Sequence, residues 1–170
     1  MRLTRRAALA GSATVVATLA GCGGGDDGSE DTVPGSEYPA VDDWLTESEV
    51  GGEDGTYDGS IVDNRDLTSV SVDVGAEGNG VGSAFGPSAV AVAPGTTITW
   101  SWTGEGGAHN VVAAPDQQIG ESDFEFSSGT PVDDGSATFE RAFDETGVAL
   151  YHCSPHLGRG MKGAVVVAEA

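Results

Sequence analysis

The sequence predicts an all-β fold, an antiparallel Greek-key β-sandwich of seven or eight strands, over residues 41–170. Three observations support this class: apolar residues alternate with polar ones, glycine and proline separate the alternating runs, and no helical period of useful length follows residue 60. Period-two alternation is typical of strands with one buried face. Several short strands separated by turn residues fit two packed sheets.

The individual strands follow from the runs. Alternation is clearest at 69–74, 97–102, 124–126 and 139–143. Shorter apolar runs predict further strands at 89–92, 111–113, 148–153 and 164–167. Before the first of these, the spacing around Trp44 and Leu45 allows one short helix.

The N-terminus has the plan of an export signal. Residues 1–21 combine a charged start that contains Arg5 and Arg6 with a short apolar run, and a twin arginine is typical of signals that export folded proteins. Residues 19–22, LAGC, resemble the cleavage site of prokaryotic lipoproteins, which predicts a lipid on Cys22. A plain secretory signal and an uncleaved anchor are the alternatives. Each of these places the rest of the chain outside the cytoplasmic membrane.

Residues 22–40 are predicted to be a disordered acidic tether, because glycine, acid and proline dominate them and little apolar area is available for burial. The whole chain has 27 acidic and 7 basic residues, a net charge of −20. Such a surface repels phosphate and excludes a nucleic-acid partner. The excess of acidic residues also indicates adaptation to high salt, where a short Debye length screens the repulsion between these charges. The alternative is that the charge serves only to keep the protein soluble.

The residues that carry chemistry lie near the C-terminus. Cys153, His156 and Met161 follow the spacing C-x2-H-x4-M between the last two predicted strands, and His109 starts an earlier one. A thiolate, two imidazoles and a thioether suit copper in the blue-copper arrangement. Zinc is the alternative metal, but methionine is a poor zinc ligand. Four protein ligands leave no position for a substrate, so we expect no enzyme activity.

Two resemblances make the prediction more specific. Residues 151–167 resemble the copper loop of plastocyanin-type cupredoxins. Residues 41–170, including GAEGNG at 75–80 and GEGGAHN at 104–110, resemble the halocyanins of salt-loving archaea. The resemblance implies one copper ion that cycles between Cu(I) and Cu(II) and carries single electrons at the outer face of the membrane. Its four ligands correspond to His109, Cys153, His156 and Met161.

The same resemblance assigns neighbouring roles. Asn110 corresponds to the asparagine that ties the two ligand loops together, with Ser154 as its neighbour. Electrons would enter and leave at the edge formed by Pro155, His156 and Leu157. The implied partners are membrane or exported redox proteins, and we expect a monomer.

Strand geometry predicts the side-chain directions of the two residues before Cys153. His152 points to the opposite face from Cys153, so it cannot readily share the metal, and we expect it at the surface. Tyr151 lies two positions before Cys153 and is expected to pack inward.

Three functions remain open from the sequence: an electron carrier, a copper-binding module for delivery or storage, and a metal-free sandwich that binds partners. Metal analysis combined with a visible spectrum separates them.

Overall fold

A computed structural model describes residues 30–114 and 122–170; the predicted signal at 1–21 and Cys22 lie outside the described residues. One helix, α1 (Pro39–Thr46), lies between the first two strands, and two short 3-10 helices occupy Gly35–Glu37 and Ser154–Arg159. The strands are β1 (Thr32–Pro34), β2 (Ser60–Asp63), β3 (Ser69–Ala76), β4 (Ala84–Gly86), β5 (Ala89–Val92), β6 (Thr96–Trp102), β7 (Val112–Ala113), β8 (Phe126–Ser127), β9 (Thr138–Phe143), β10 (Gly147–His152) and β11 (Lys162–Val167).

These strands form two sheets. The larger has the order β1-β2-β5-β11-β10-β7-β8, and the smaller has the order β4-β3-β6-β9. The predicted all-β sandwich is confirmed, and every run predicted from alternation or apolar character overlaps a strand. Strands β1, β2 and β4 were not predicted, because they are short and show no clear alternation.

The sheets are mixed, whereas antiparallel sheets were predicted. Strand β5 runs parallel to both β2 and β11, and β3 runs parallel to β6. Strands β3 and β6 become parallel neighbours because the chain crosses to the other sheet as β5 between them. Alternation could not reveal this, since parallel and antiparallel strands both place successive side chains on opposite faces.

The predicted tether ends earlier than expected. Strand β1 pairs antiparallel with β2 at the edge of the larger sheet, where a proline is tolerated. The N–H of Gly35 donates to the carbonyl of Gly59 at 2.7 Å. The prediction of disorder was therefore wrong for residues 32–40. It failed because β1 is held by pairing with a distant strand rather than by its own composition.

The main core lies between the two sheets. Along β6 every second residue is buried, and Ile98, Trp100 and Trp102 form its inner face. The Trp100 ring is fully buried, with the rings of Phe126 and Tyr151 at centroid distances of 5.4 and 5.5 Å. Tyr151 is fully buried in this core, as predicted.

A second core covers the outer face of the larger sheet. Val41, Trp44 and Leu45, at the i, i+3, i+4 spacing of a helix face, pack from α1 onto β10 and β11. As a result β11 is buried on both faces, which explains its continuous apolar run. Within residues 30–114 and 122–170, no helix is long and apolar enough to cross a bilayer.

His152 lies beside this second core. It is only 7% exposed, and its ring lies edge-on to the Trp44 ring at a centroid distance of 6.4 Å. The expected surface position of His152 is therefore wrong. Strand geometry placed its side chain on the face away from Cys153, but α1 covers that face.

Candidate metal centre

Three of the four predicted ligands, Cys153, His156 and Met161, come from the loop that joins β10 to β11. Cys153 precedes the 3-10 helix Ser154–Arg159, which contains His156. Pro155 lies in its first turn, where a fixed φ and a missing N–H are tolerated. Gly160, with φ of 85°, ends this helix in the left-handed region that favours glycine and directs the chain into β11.

The remaining predicted ligand, His109, comes from the connection between β6 and β7. Its backbone exchanges hydrogen bonds of 2.8 and 2.9 Å with Val132. Its Nε2 lies 2.8 Å from the carbonyl oxygen of Glu105. Because a carbonyl can only accept, Nε2 carries the proton and Nδ1 keeps its lone pair for a metal. The side chain of His109 is fully buried.

Three donor atoms converge at this point. The Sγ of Cys153 lies 3.6 Å from Nδ1 of His109 and 3.5 Å from Nδ1 of His156. The two nitrogens lie 3.0 Å apart. One ion with bonds of about 2.0–2.3 Å can contact all three donors at such separations. A thiolate with two imidazoles is the equatorial set of a blue-copper site, so the residues fit copper.

The backbone of the same loop places Met161 next to this group. The N–H of Cys153 donates to the carbonyl of Met161 at 3.0 Å, and the N–H of Met161 donates to the carbonyl of His156 at 3.2 Å. The side chain of Met161 is fully buried and belongs to the same core cluster as Cys153. The residue that carries the predicted thioether ligand therefore lies next to the loop residues that carry the other donors.

The four side chains differ in their contact with solvent. Those of His109, Cys153 and Met161 are fully buried. His156 is half-buried, as is Leu157, and Pro155 is exposed. The edge predicted to exchange electrons thus lies at the surface, with His156 as the ligand nearest to solvent.

Asn110 links the two parts of the chain that carry the ligands. Its Oδ1 accepts from the N–H of Ser154 at 2.8 Å, and its Nδ2 donates to Oγ of Ser154 at 3.3 Å. The Nδ2 also donates to the carbonyl of Gly129 at 3.1 Å. With Asn110 only 4% exposed, these bonds hold the residue after His109 against the residue after Cys153.

We expect Asn110→Ala to lower the free energy of unfolding of the metal-free protein by about 1–3 kcal/mol, because the N–H of Ser154 loses its acceptor and the carbonyl of Gly129 loses its donor. Denaturant unfolding monitored by tryptophan fluorescence measures this. Ser154→Ala is the matched control, since it removes only the 3.3 Å bond and should cost under about 1 kcal/mol. Equal losses in the two variants would contradict this account.

The protonation of the site predicts how copper uptake depends on pH. Burial raises the pKa of the Cys153 thiol, so at neutral pH the metal-free protein carries a neutral thiol. Burial, with His109 and Arg159 nearby, lowers the pKa of His156, so that imidazole is neutral there. Copper therefore displaces the Cys153 proton, and a lower proton concentration favours binding.

We expect copper affinity to rise about tenfold per pH unit from about pH 7 to 8.5, since one proton is released per ion. Competition against a chelator of known pH dependence measures the affinity, and an indicator in weak buffer counts the protons. A flat pH profile would mean that the free protein already holds a thiolate.

Some contributors to the site have no distinctive sequence pattern. The acceptor for His109 is a backbone carbonyl, that of Glu105, and any residue type could supply it. The Nε1 of Trp102 donates to the carbonyl of His109 at 3.0 Å. Trp102 was predicted only as a strand residue, and the alternation of β6 gave no sign of this second contact.

A two-sheet β-sandwich that gathers a cysteine and two histidines at one end, with a buried methionine beside them, defines the class of type 1 copper proteins. Residues 70–168 match the family model of copper-binding proteins of the plastocyanin/azurin type. The chain belongs to the plastocyanin/azurin family of copper-binding proteins, and its cofactor is copper.

Particular relatives agree with this assignment. The chain is 46% identical over 168 residues to the halocyanin of Natronomonas pharaonis, and the match covers 96% of each. It is 32% identical over 99 residues to a plastocyanin of Scenedesmus fuscus, covering 58% of this chain and 98% of that one. The chain is therefore a halocyanin-like cupredoxin, as predicted.

Among solved structures, the copper-containing nitrite reductase of Thermus scotoductus SA-01 aligns with a TM-score of 0.46 and 20% identity. The alignment covers 60% of this chain and 23% of the enzyme. This likeness supports no conclusion about activity.

Proposed function

We propose that this protein is a one-electron carrier at the outer face of the cytoplasmic membrane, with one copper ion held by His109, Cys153, His156 and Met161. The burial of these residues supports the proposal most strongly: three are fully buried, and His156 is half-buried at the surface. Electron transfer needs only an accessible ligand edge, whereas metal catalysis needs an open coordination position.

The hydrogen bonds that hold the ligand residues in place also favour an electron carrier. The backbone of Cys153 is hydrogen-bonded to that of Met161, and the backbone of His109 to that of Val132. The side chain of Asn110 accepts from the N–H of Ser154. Ligands held in this way change little when the ion changes oxidation state, and a small rearrangement makes electron transfer fast. A delivery module would need ligands that release the metal readily.

We further propose that the protein is exported and carries a lipid on Cys22 that anchors it to the membrane. The halocyanin match over 96% of both chains supports export, and the residues around Cys22 support the lipid. Mass spectrometry of the protein from its native membrane should find Cys22 as a lipid-modified N-terminus. An intact Met1, or an unmodified N-terminus beyond Cys22, would contradict this.

The partners we propose are membrane or exported redox proteins that meet the monomer at the His156 edge. The net charge of −20 would steer cationic partners at low salt. At high salt this steering is screened, and the contact surface around Pro155 and Leu157 would then determine recognition.

A visible spectrum, metal analysis and electron-transfer kinetics test the proposal together. We expect one copper per chain, an intense blue colour in the oxidised form, and oxidation of the reduced form by small complexes. Cationic oxidants should react faster than anionic oxidants of matched potential, with the difference shrinking as ionic strength rises. Rapid loss of copper to a chelator, without reversible redox chemistry, would instead indicate a delivery module.

A further inference from the structure

A segment outside the part that matches the family model lies against the copper site. We call residues 39–54, which comprise α1 and the loop after it, the N-terminal brace; the family match begins at residue 70. Within the brace, Val41, Trp44 and Leu45 are buried against the larger sheet. The Nε1 of Trp44 donates to the carbonyl of Tyr151, two residues before Cys153, at 3.3 Å.

Lys162, the next residue after Met161, fastens the brace to the start of β11. It is fully buried, and its Nζ donates to the carbonyls of Trp44 at 3.1 Å and Glu47 at 3.0 Å. The same Nζ forms an ion pair of 2.7 Å with Oε1 of Glu47 and lies 4.3 Å from the centroid of the Trp44 ring. A fully buried lysine is rare unless paired, so this position is specifically built.

The loop of the brace contacts the backbone of the ligand loop directly. The N–H of Gly52 donates to the carbonyl of Leu157 at 2.9 Å. A Cβ on Gly51 would overlap that same carbonyl, and a Cβ on Gly160 would overlap the carbonyl of Glu53. Glycine is required here because the two backbones approach more closely than side chains allow.

Asn79 joins the end of the brace to the same loop from the other side. Its Nδ2 donates to the carbonyl of Gly160 at 3.0 Å and to Oδ1 of Asp54 at 2.9 Å. The N–H of Gly55 donates to Oδ1 of Asn79 at 2.9 Å. Gly160 directly precedes Met161, so this amide fixes the point at which the chain turns into the site.

We propose that the N-terminal brace is a positioning element of the copper site, which holds residues 157–162 so that His156 and Met161 keep their geometry in both oxidation states. The inference rests on the copper-carrier function proposed above. Two glycines, Gly158 and Gly160, make the ligand loop flexible on its own. The brace supplies contacts that the matched residues 70–168 do not contain. The positioning residues are Gly51 and Gly52 in the brace and Lys162, which bonds to the brace from the start of β11.

The first test compares two glycine substitutions in the full chain. Gly51→Ala forces the brace away from Leu157. Gly95→Ala is the matched control, because both glycines have a positive φ, 79° and 91°, but nothing lies within 4 Å of the added Cβ at Gly95. Gly95 follows β5 at the end of the sheet away from the site, since Val92 pairs with Val167.

We expect Gly51→Ala to lose copper to a chelator at least about tenfold faster than Gly95→Ala, as is typical when support around metal ligands is removed. We also expect an altered Cu(II) electron paramagnetic resonance spectrum and a shifted midpoint potential in Gly51→Ala alone. The free energy of unfolding of each metal-free variant measures the backbone strain that an alanine at positive φ causes in both. Equal release rates and unchanged spectra would overturn the proposal.

A second pair of variants tests Lys162. Lys162→Met leaves the carbonyls of Trp44 and Glu47 without their donor. We expect faster copper loss and an altered spectrum in Lys162→Met, and near wild-type behaviour in Arg65→Met. Arg65→Met, which breaks the ion pair with Asp63, is the control for removal of a cation.

If Lys162→Met does not fold, the comparison of Gly51→Ala with Gly95→Ala still tests the proposal. The two hypotheses also fail differently. Wild-type protein that binds no copper, or binds it without reversible redox chemistry, would contradict the carrier function. A blue, redox-active wild type whose Gly51→Ala variant matches its control would contradict only the brace.

Discussion

Cys153→Ser should abolish the intense colour of the copper-loaded protein. The colour of a type 1 site arises from charge transfer between a thiolate sulfur and Cu(II), and Cys153 places the sulfur 3.5 and 3.6 Å from the two histidine nitrogens. A serine hydroxyl is a harder and weaker ligand for this metal. We therefore also expect copper affinity to fall by at least about tenfold. A visible spectrum and competition against a chelator measure both effects.

Cys22→Ser is the matched control for this change, because it removes the other cysteine of the chain. It should leave the colour unchanged while preventing lipid attachment. Near-ultraviolet circular dichroism of the buried tryptophans establishes that both variants are folded. A blue band that persists in Cys153→Ser would show that Cys153 is not the source of the thiolate sulfur.

Met161→Gln should lower the reduction potential while copper stays bound. A thioether is soft and favours Cu(I), whereas an amide oxygen is harder and favours Cu(II). We expect a decrease of more than about 59 mV, which is a tenfold change in the one-electron equilibrium. Voltammetry measures the potential, and metal analysis establishes that one copper remains.

Met161→Leu provides the opposite expectation. Leucine has nearly the volume of methionine and is tolerated in cores, but it supplies no donor, so Cu(II) loses stabilisation and the potential should rise. Because Met161 is fully buried, neither substitution changes the charge or shape of the surface, so we expect a change in potential to reflect the lost thioether. A potential unchanged in both variants would show that Met161 is not a ligand.

Much of the fold was predictable because it depends on local pattern. The alternation in β3, β6 and β9 reflects one more buried face and one more exposed face, and the sequence records this directly. A short helix around Trp44 and Leu45 was allowed by the sequence, but the face that α1 buries was not predicted. Strand β1 was not predictable, since its order comes from pairing with residues 60–62.

The candidate site also has a part that the sequence predicted and a part that it did not. Three donors lie within nine residues of one loop, so spacing and donor chemistry indicated copper before any contact was known. The orientation of His109 was not accessible, because it depends on a backbone carbonyl at Glu105. Lys162 was even less accessible, since a lone lysine in an acidic chain is normally expected at the surface.

By itself, the sequence determined the sandwich class and the acidic character of the chain, and it predicted the four copper donors, because each follows from residue types at short spacing. Only the tertiary structure decided which strands pair in parallel, that His152 lies under α1, and that the N-terminal brace contacts the ligand loop. The bonds from Lys162 to the brace join residues 118 and 115 positions apart. Contacts at that separation arise from the packing of whole elements, which no local pattern records.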